Sequence, residues 1–318
     1  VHQDYFVMQN FYEAIAINKR KTLFIVIGFL LFVALAVWIL SNAFAVYLGY
    51  EPGGLGIVGI ALIVSGVMSL VSYYYSDKIV LSMSGARPAD RKRDFEFYTV
   101  AENMAIAAGL PKPKLYVIDD NAPNAFATGR DPKNAAMVAT TGLLTRLNRT
   151  ELEGVVGHEM THIRNYDTRL AAVVAVMVGS LALLGDWFLR MNFWGIGGRR
   201  RRDDESGNLG AIFMVLGIIF AILSPIIATL IQLAISRRRE FMADAGSVEL
   251  TRQPSGLIHA LEKISSVDEP LKHANKATAH LYIVNPFKDG HKAVAWFSGL
   301  FNTHPPIKAR ITALQKMI

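Results

Sequence analysis

The sequence predicts an α-helical membrane protein with about four transmembrane helices and an α+β domain outside the bilayer, and three observations predict it. Of its 318 residues 52% are hydrophobic, the mean hydropathy is +0.30, and the apolar residues are gathered into long blocks. Between the blocks, residues 114–140 contain short β-branched and apolar runs of strand length. His158, Glu159, Met160, Thr161 and His162 spell H-E-x-x-H. On a helix that spacing puts two imidazoles one turn apart on one face, where they can hold zinc with Glu159 beside it as a general base.

The elements follow in four segments: 1–76 with two transmembrane helices, 77–168 with the motif helix, a transmembrane hairpin over 169–236, and 237–318. Thr22 to Tyr50 carries no charge and holds about 20 apolar residues through Leu40, enough for one crossing. After the Pro52-Gly53-Gly54 turn, Leu55 to Tyr75 is again uncharged and ends in Tyr73, Tyr74 and Tyr75, suited to the headgroup level. Asp94 to Gly109 reads as an amphipathic helix stopped by Gly109 and Pro111. Lys114–Ile118, Ala125–Gly129 and Ala135–Thr140 read as strands, with Gly129 to Pro132 supplying a turn.

Thr150 and Glu153 read as a capping box that opens the motif helix. Leu170 to Gly185 is a shorter apolar run of about 16 residues, read as a span, with Asp186 as a charge at its interfacial end. Leu209 to Ser236 is the fourth span, kinked at Pro225. Trp194 to Gly210, rich in glycine and charge, is the loop between them, and Ser255 to Ser265 is a helix after Pro254.

Basic residues set the orientation. Lys19, Arg20 and Lys21 precede the first span, the Asn42 to Gly54 connection has none, and Lys78, Arg87, Arg91, Lys92 and Arg93 follow the second. Both flanks, and Arg237 to Arg239 after the last span, are expected on the cytoplasmic side. Arg190 and Arg199 to Arg202 oppose that pattern, and from sequence the hairpin either follows the first spans or does not fully cross. The net charge of +7 is accounted for by these clusters against anionic lipid, so a nucleic-acid partner is not expected. Cysteine is absent, which excludes disulfide and thiol chemistry. Residues 1–18, with Asp4 and Glu13 and no basic stretch before an apolar core, do not read as a cleavable signal peptide.

A third metal ligand must lie near the membrane surface, because a helix continuing from His162 would reach Leu170 within about 12 Å. Just beyond the last span, Glu240 and Asp244 fall at i and i+4 on one helical face. Glu240 is the stronger candidate, with Asp244 accepting the free N–H of a zinc-bound histidine. Asp167, five residues past His162, is the competing ligand, and the solvated, salt-bridged face remains the plain reading of the acidic pair. The metzincin extension is excluded, since Asn165 and Thr168 stand where its glycine and third histidine belong. His2, His259, His273, His280 and His291 have no site-like spacing.

HEMTH, a hydrophobic hairpin, the REFMAD segment at Arg239 to Asp244 and THPP at Thr303 to Pro306 together resemble the HtpX family of membrane zinc endopeptidases, related to the CAAX prenyl proteases. The resemblance implies a gluzincin-like zinc protease domain facing the cytoplasm of a bacterial-type inner membrane, one catalytic Zn2+, and ATP-independent cleavage of membrane or misfolded proteins in quality control. It implies Glu240 as the third ligand, the Asn124, Ala125, Phe126, Ala127 segment as an edge strand beside the cleft, and His304 with Arg310 binding the developing oxyanion. An exposed edge there would hold substrate by strand addition. A CAAX-type prenyl protease, or a zinc-binding transporter or scaffold without catalysis, stands as the alternative. A transporter would place its ligands at mid-membrane depth, whereas these lie outside the apolar blocks.

Overall fold

The computed structural model describes residues 73–177, 237–267 and 305–318 continuously, with 16–28, 271, 281–283 and a few positions between 30 and 67. The greater part of the four expected spans, Asp186, the 194–210 loop and His304 lie outside the described residues. Among the described residues no helix is long and apolar enough to cross a membrane. On the first apolar segment the side chains of Leu23, Phe24, Leu31 and Leu35 are exposed.

The described domain is mixed α/β: β1 (Arg87–Pro88), α1 (Phe95–Ala108), β2 (Lys114–Ile118), β3 (Ala125–Thr128), β4 (Ala136–Thr140), α2 (Thr141–Arg146), α3 (Arg149–Arg164), α4 (Arg237–Thr251), α5 (Pro254–Ser266) and α6 (Ile307–Gln315). Helical turns also run over 16–28, 73–83 and 167–177. The sheet order is β1-β2-β4-β3, with β2 parallel to β4 and both outer pairings antiparallel.

Strand alternation divides the core into two layers. Leu115, Val117, Ala125, Ala127, Met137 and Ala139 face a cluster with α1, α3 and α5. Ile118, Phe126, Ala136 and Val138 face a second cluster with Val80, Leu81, Ala175 and Tyr282. Both faces are covered, so β3 and β4 are buried along their whole length. β3 stands last in the strand order, which makes the segment from Asn124 to Ala127 an edge as expected, buried on both faces and met at Ala125 by the 281–283 segment. Ile283 donates its backbone N–H to the Ala125 carbonyl at 3.1 Å, and the Tyr282 ring stands edge-on to Phe126 at 5.0 Å.

The start of α3 also differs from expectation. Asn148, in extended conformation, accepts the Glu151 N–H, and the Glu151 carboxylate accepts the Asn148 N–H at 2.9 Å, which makes the capping box Asn148/Glu151. Thr150 is already inside the helix, and Glu153 instead pairs with Arg149 at 3.1 Å. Glu151 is held further by Lys263 of α5 at 2.7 Å. The helix does not continue towards Leu170, since it ends at Arg164 and Tyr166 takes a left-handed φ of 60° before a new helix begins. That break turns Asp167 back towards His162.

Candidate metal centre

α3 presents His158 and His162 one turn apart, and α4 packs against it with Glu240 and Asp244 on the facing side, all buried except the half-buried His162. The two Nε2 atoms lie 3.2 Å apart. Glu240 Oε2 is 3.7 Å from His158 Nε2, and Oε1 is 3.6 Å from His162 Nε2. A tetrahedral zinc with nitrogen and oxygen ligands at about 2.0–2.1 Å needs donor atoms about 3.3–3.4 Å apart, so the three side chains fit such an ion.

The outer contacts fix which nitrogens face the metal position. Asp244 Oδ1 accepts from His158 Nδ1 at 3.0 Å, and Asp167 Oδ2 accepts from His162 Nδ1 at 2.9 Å. A carboxylate can only accept, so each Nδ1 carries a proton and each Nε2 is the nitrogen turned to the metal position, the one that gives up any second proton when a metal binds. Asp167, the competing ligand of the sequence reading, touches the far nitrogen of His162 and backs that histidine as Asp244 backs the other. Glu240 and Asp244 are both buried against α3, so the solvated face does not describe that pair.

Arg310 of α6 is 1% exposed and pairs with Asp244 through two nitrogens, Nη2 to Oδ1 at 2.6 Å and Nε to Oδ2 at 2.9 Å. Its Nη2 is 3.4 Å from His158 Nδ1, and its Nη1 is 3.9 Å from Glu240 Oε2. Burial alone would raise the Asp244 carboxyl, but the Arg310 guanidinium and the His158 hydrogen bond outweigh it and hold the pKa below the usual value.

Glu159 is buried beside the pair, and its carboxylate accepts the backbone N–H of Ala127. Burial pushes its pKa up, Glu240 adds to that, and the two imidazoles oppose it. Burial would push His162 down, but Asp167, Glu240 and Glu159 override it and raise the imidazole to about 9. Asn124 is buried at the start of β3, where its Oδ1 accepts the Ala125 N–H at 3.1 Å. Ala125, Phe126 and Ala127 carry the chain past Glu159. His259 is exposed on α5, as its lack of pattern implied.

Sequence reasoning missed the buried amide of Asn18, whose Nδ2 donates to Asp167 Oδ1 at 2.7 Å, and the approach of Arg239 Nε to the same oxygen at 3.6 Å. No local signal marks a contact across 149 positions.

The profile of Peptidase family M48 matches residues 91–318. "Protease HtpX homolog" of Dictyoglomus turgidum is 48% identical over 309 residues, covering 96% of this chain and 95% of that one. The proteins of that name from Caldanaerobacter subterraneus and Streptococcus gordonii are each 45% identical, over 96% of this chain and 97% and 99% of theirs. The crystal structure of S. mikatae Ste24p aligns with a TM-score of 0.46 at 16% identity, over 88% of this chain and 62% of that one. A match over most of the chain, and near-half identity over nearly all of it, make this chain a member of Peptidase family M48, an HtpX-type metalloprotease.

Proposed function

We propose that the chain is a membrane zinc endopeptidase that cuts misfolded or membrane proteins without ATP, with its active site on the cytoplasmic side. One observation carries the chemistry: the Nε2 atoms of His158 and His162 converge with the Glu240 carboxylate beside a buried fourth group, Glu159. His158, His162 and Glu240 would hold one Zn2+. When bound, zinc supplies Lewis-acid chemistry, acidifying water towards a pKa of about 7 and polarising the scissile carbonyl.

Glu159 accepts the proton of the attacking water and passes it to the leaving amine. A carboxyl raised by burial suits that task near neutral pH. Asp244 and Asp167 hold the imidazoles in one tautomer. With Nε and Nη2 engaged by Asp244, Arg310 keeps Nη1 towards Glu240, where it adds positive potential at the site. The membrane reading is supported by the uncharged runs 22–50, 55–75 and 209–236 and by the exposed apolar side chains of the first segment. Its sidedness is supported by the basic flanks, since Arg239 approaches the carboxylate that backs His162.

The test is metal content together with cleavage of casein and a model membrane protein, wild type beside Glu159→Gln, on detergent-purified full chain. Stoichiometric zinc in both, with cleavage lost more than about a hundredfold in the variant, is the expected result. Undiminished cleavage in Glu159→Gln removes the base assignment, and a wild type that takes up no zinc removes the site.

A further inference from the structure

Asn18 stands on the helical segment 16–28, which leads into the first apolar run at Thr22. Its side chain is 3% exposed. Nδ2 donates to the Asn165 carbonyl at 2.9 Å and to Asp167 Oδ1 at 2.7 Å, and Oδ1 accepts from Arg239 Nη1 at 3.1 Å. Both donor hydrogens and an acceptor lone pair of one amide are thus engaged. The neighbouring Lys19 ammonium lies over the Tyr166 ring at 4.7 Å, so the segment is seated on the turn that ends α3.

The placement of those partners is specific. Asp167 holds His162 Nδ1 through its other oxygen at 2.9 Å. Arg239 directly precedes Glu240, and its Nε lies 3.6 Å from the same Asp167 oxygen that Asn18 holds. One of the three groups that can take a metal, His162, therefore hangs on this amide at one remove, through Asp167. A hydrophobic residue here would take both amide hydrogens away from the Asn165 carbonyl and from Asp167 Oδ1.

We propose that Asn18 is a positioning residue of the metal centre, an N-terminal clamp that fixes the His162 ring through Asp167 so that the first membrane-entering helix helps to set metal affinity. Asn18 makes no contact with His162 itself, and its effect runs through Asp167. Removing a hydrogen-bond partner outside the ligands weakens metal binding by about 10–100-fold, and a residue one step further out belongs at the lower end. The inference rests on the zinc site proposed above.

The test measures zinc affinity of the full chain in detergent by competition with a chromophoric chelator, for wild type, Asn18→Ala, Asn18→Asp, Asp167→Asn and Asn18→Ala/Asp167→Asn. Asn18→Ala should bind zinc about tenfold more weakly. The double variant should bind no more weakly than Asp167→Asn alone, because the two residues act in series. KM for a peptide substrate should stay at the wild-type value, with kcat recovering as zinc is raised. Asn18→Asp keeps the shape and the acceptor for Arg239 but turns the donor into a second carboxylate against Asp167, so it should weaken zinc at least as much; it carries the measurement if Asn18→Ala does not fold. Wild-type zinc affinity in both Asn18 variants, a melting temperature lowered at unchanged affinity, or additive losses in the double variant would overturn the proposal. A wild type without zinc overturns the proposed function instead, which separates the two failures.

Discussion

His162 is the residue whose chemistry the surroundings change most legibly. Its pKa of about 9 lies above the ordinary 6.5, so between those values the folded metal-free protein holds a proton that the unfolded chain does not. The sign follows: the stabilisation is complete below about pH 6.5 and is lost as pH rises through about 9, with a size on the order of 3 kcal/mol. The melting temperature of chelator-treated protein should therefore fall across that window, and a flat profile would contradict the Asp167 pairing. The same proton must leave when a metal takes Nε2, because Nδ1 keeps its own. Zinc uptake near pH 7 should release close to one proton per site, read from binding heats in buffers of different ionisation enthalpy. Arg310 shows the opposite case of a charge that burial cannot neutralise. Its guanidinium is 1% exposed and its bond to Asp244 is bidentate, so Arg310→Ala leaves the buried Asp244 carboxylate without its cation and should destabilise the fold by about 3–5 kcal/mol, measured by thermal melting beside wild type.

Between elements, the position of the histidines depends on how closely α5 and α4 approach α3. A Cβ on Gly154 would meet the backbone of Leu257 at 2.7 Å from its nitrogen and 2.9 Å from its Cα. Helix propensity favours alanine by about 1 kcal/mol, but backbone cannot retreat as a side chain can, so Gly154→Ala should destabilise by about 1–3 kcal/mol net. A melting temperature equal to or above wild type would show that the crossing is looser than the geometry. Much of this architecture is legible in the sequence because it is local. Gly109 stops α1 in a left-handed turn, Pro254 opens α5, and β2 spans the short apolar run of Lys114 to Ile118 as the sequence reads. The capping box lay two residues from its reading because Asn148 and Thr150 offer the same chemistry, and only the backbone decides which is extended. The motif and the i, i+4 acidic pair on α4 were likewise legible, since both are spacings within one helix. The covered face of β3, the break at Tyr166 and the role of Asp167 as a support were not, because each is decided by packing between segments far apart in sequence.

On the scale of the whole molecule, the metal position joins two stretches of chain, α3 at 149–164 and α4 at 237–251, that also meet through packing, the Ser247 to Gly154 hydrogen bond of 2.6 Å, the His158–Asp244 contact and the Arg164–Glu249 pair at 3.0 Å. A ligand that binds only the folded state stabilises it by RT ln(1 + [L]/Kd), which is about 2.7 kcal/mol at a hundred times Kd. For a domain of 150–250 residues each kcal/mol moves the melting temperature by about 2–4 °C, so chelation of the wild type should lower it by about 5–10 °C. Glu240→Ala separates this linkage from nonspecific effects of the chelator, because it removes the α4 contribution while leaving both histidines on α3. Its melting temperature should be insensitive to chelator and to added zinc at concentrations that saturate the wild type. If the variant still gained stability from zinc, the ion would be held on α3 alone, with Asp167 turned in as the third ligand. Loss of the response in Glu240→Ala, with Asp167→Asn retaining a weakened one, ties the metal to the α3–α4 junction, where a fold assembled from two separated segments needs a bond that neither segment can make alone.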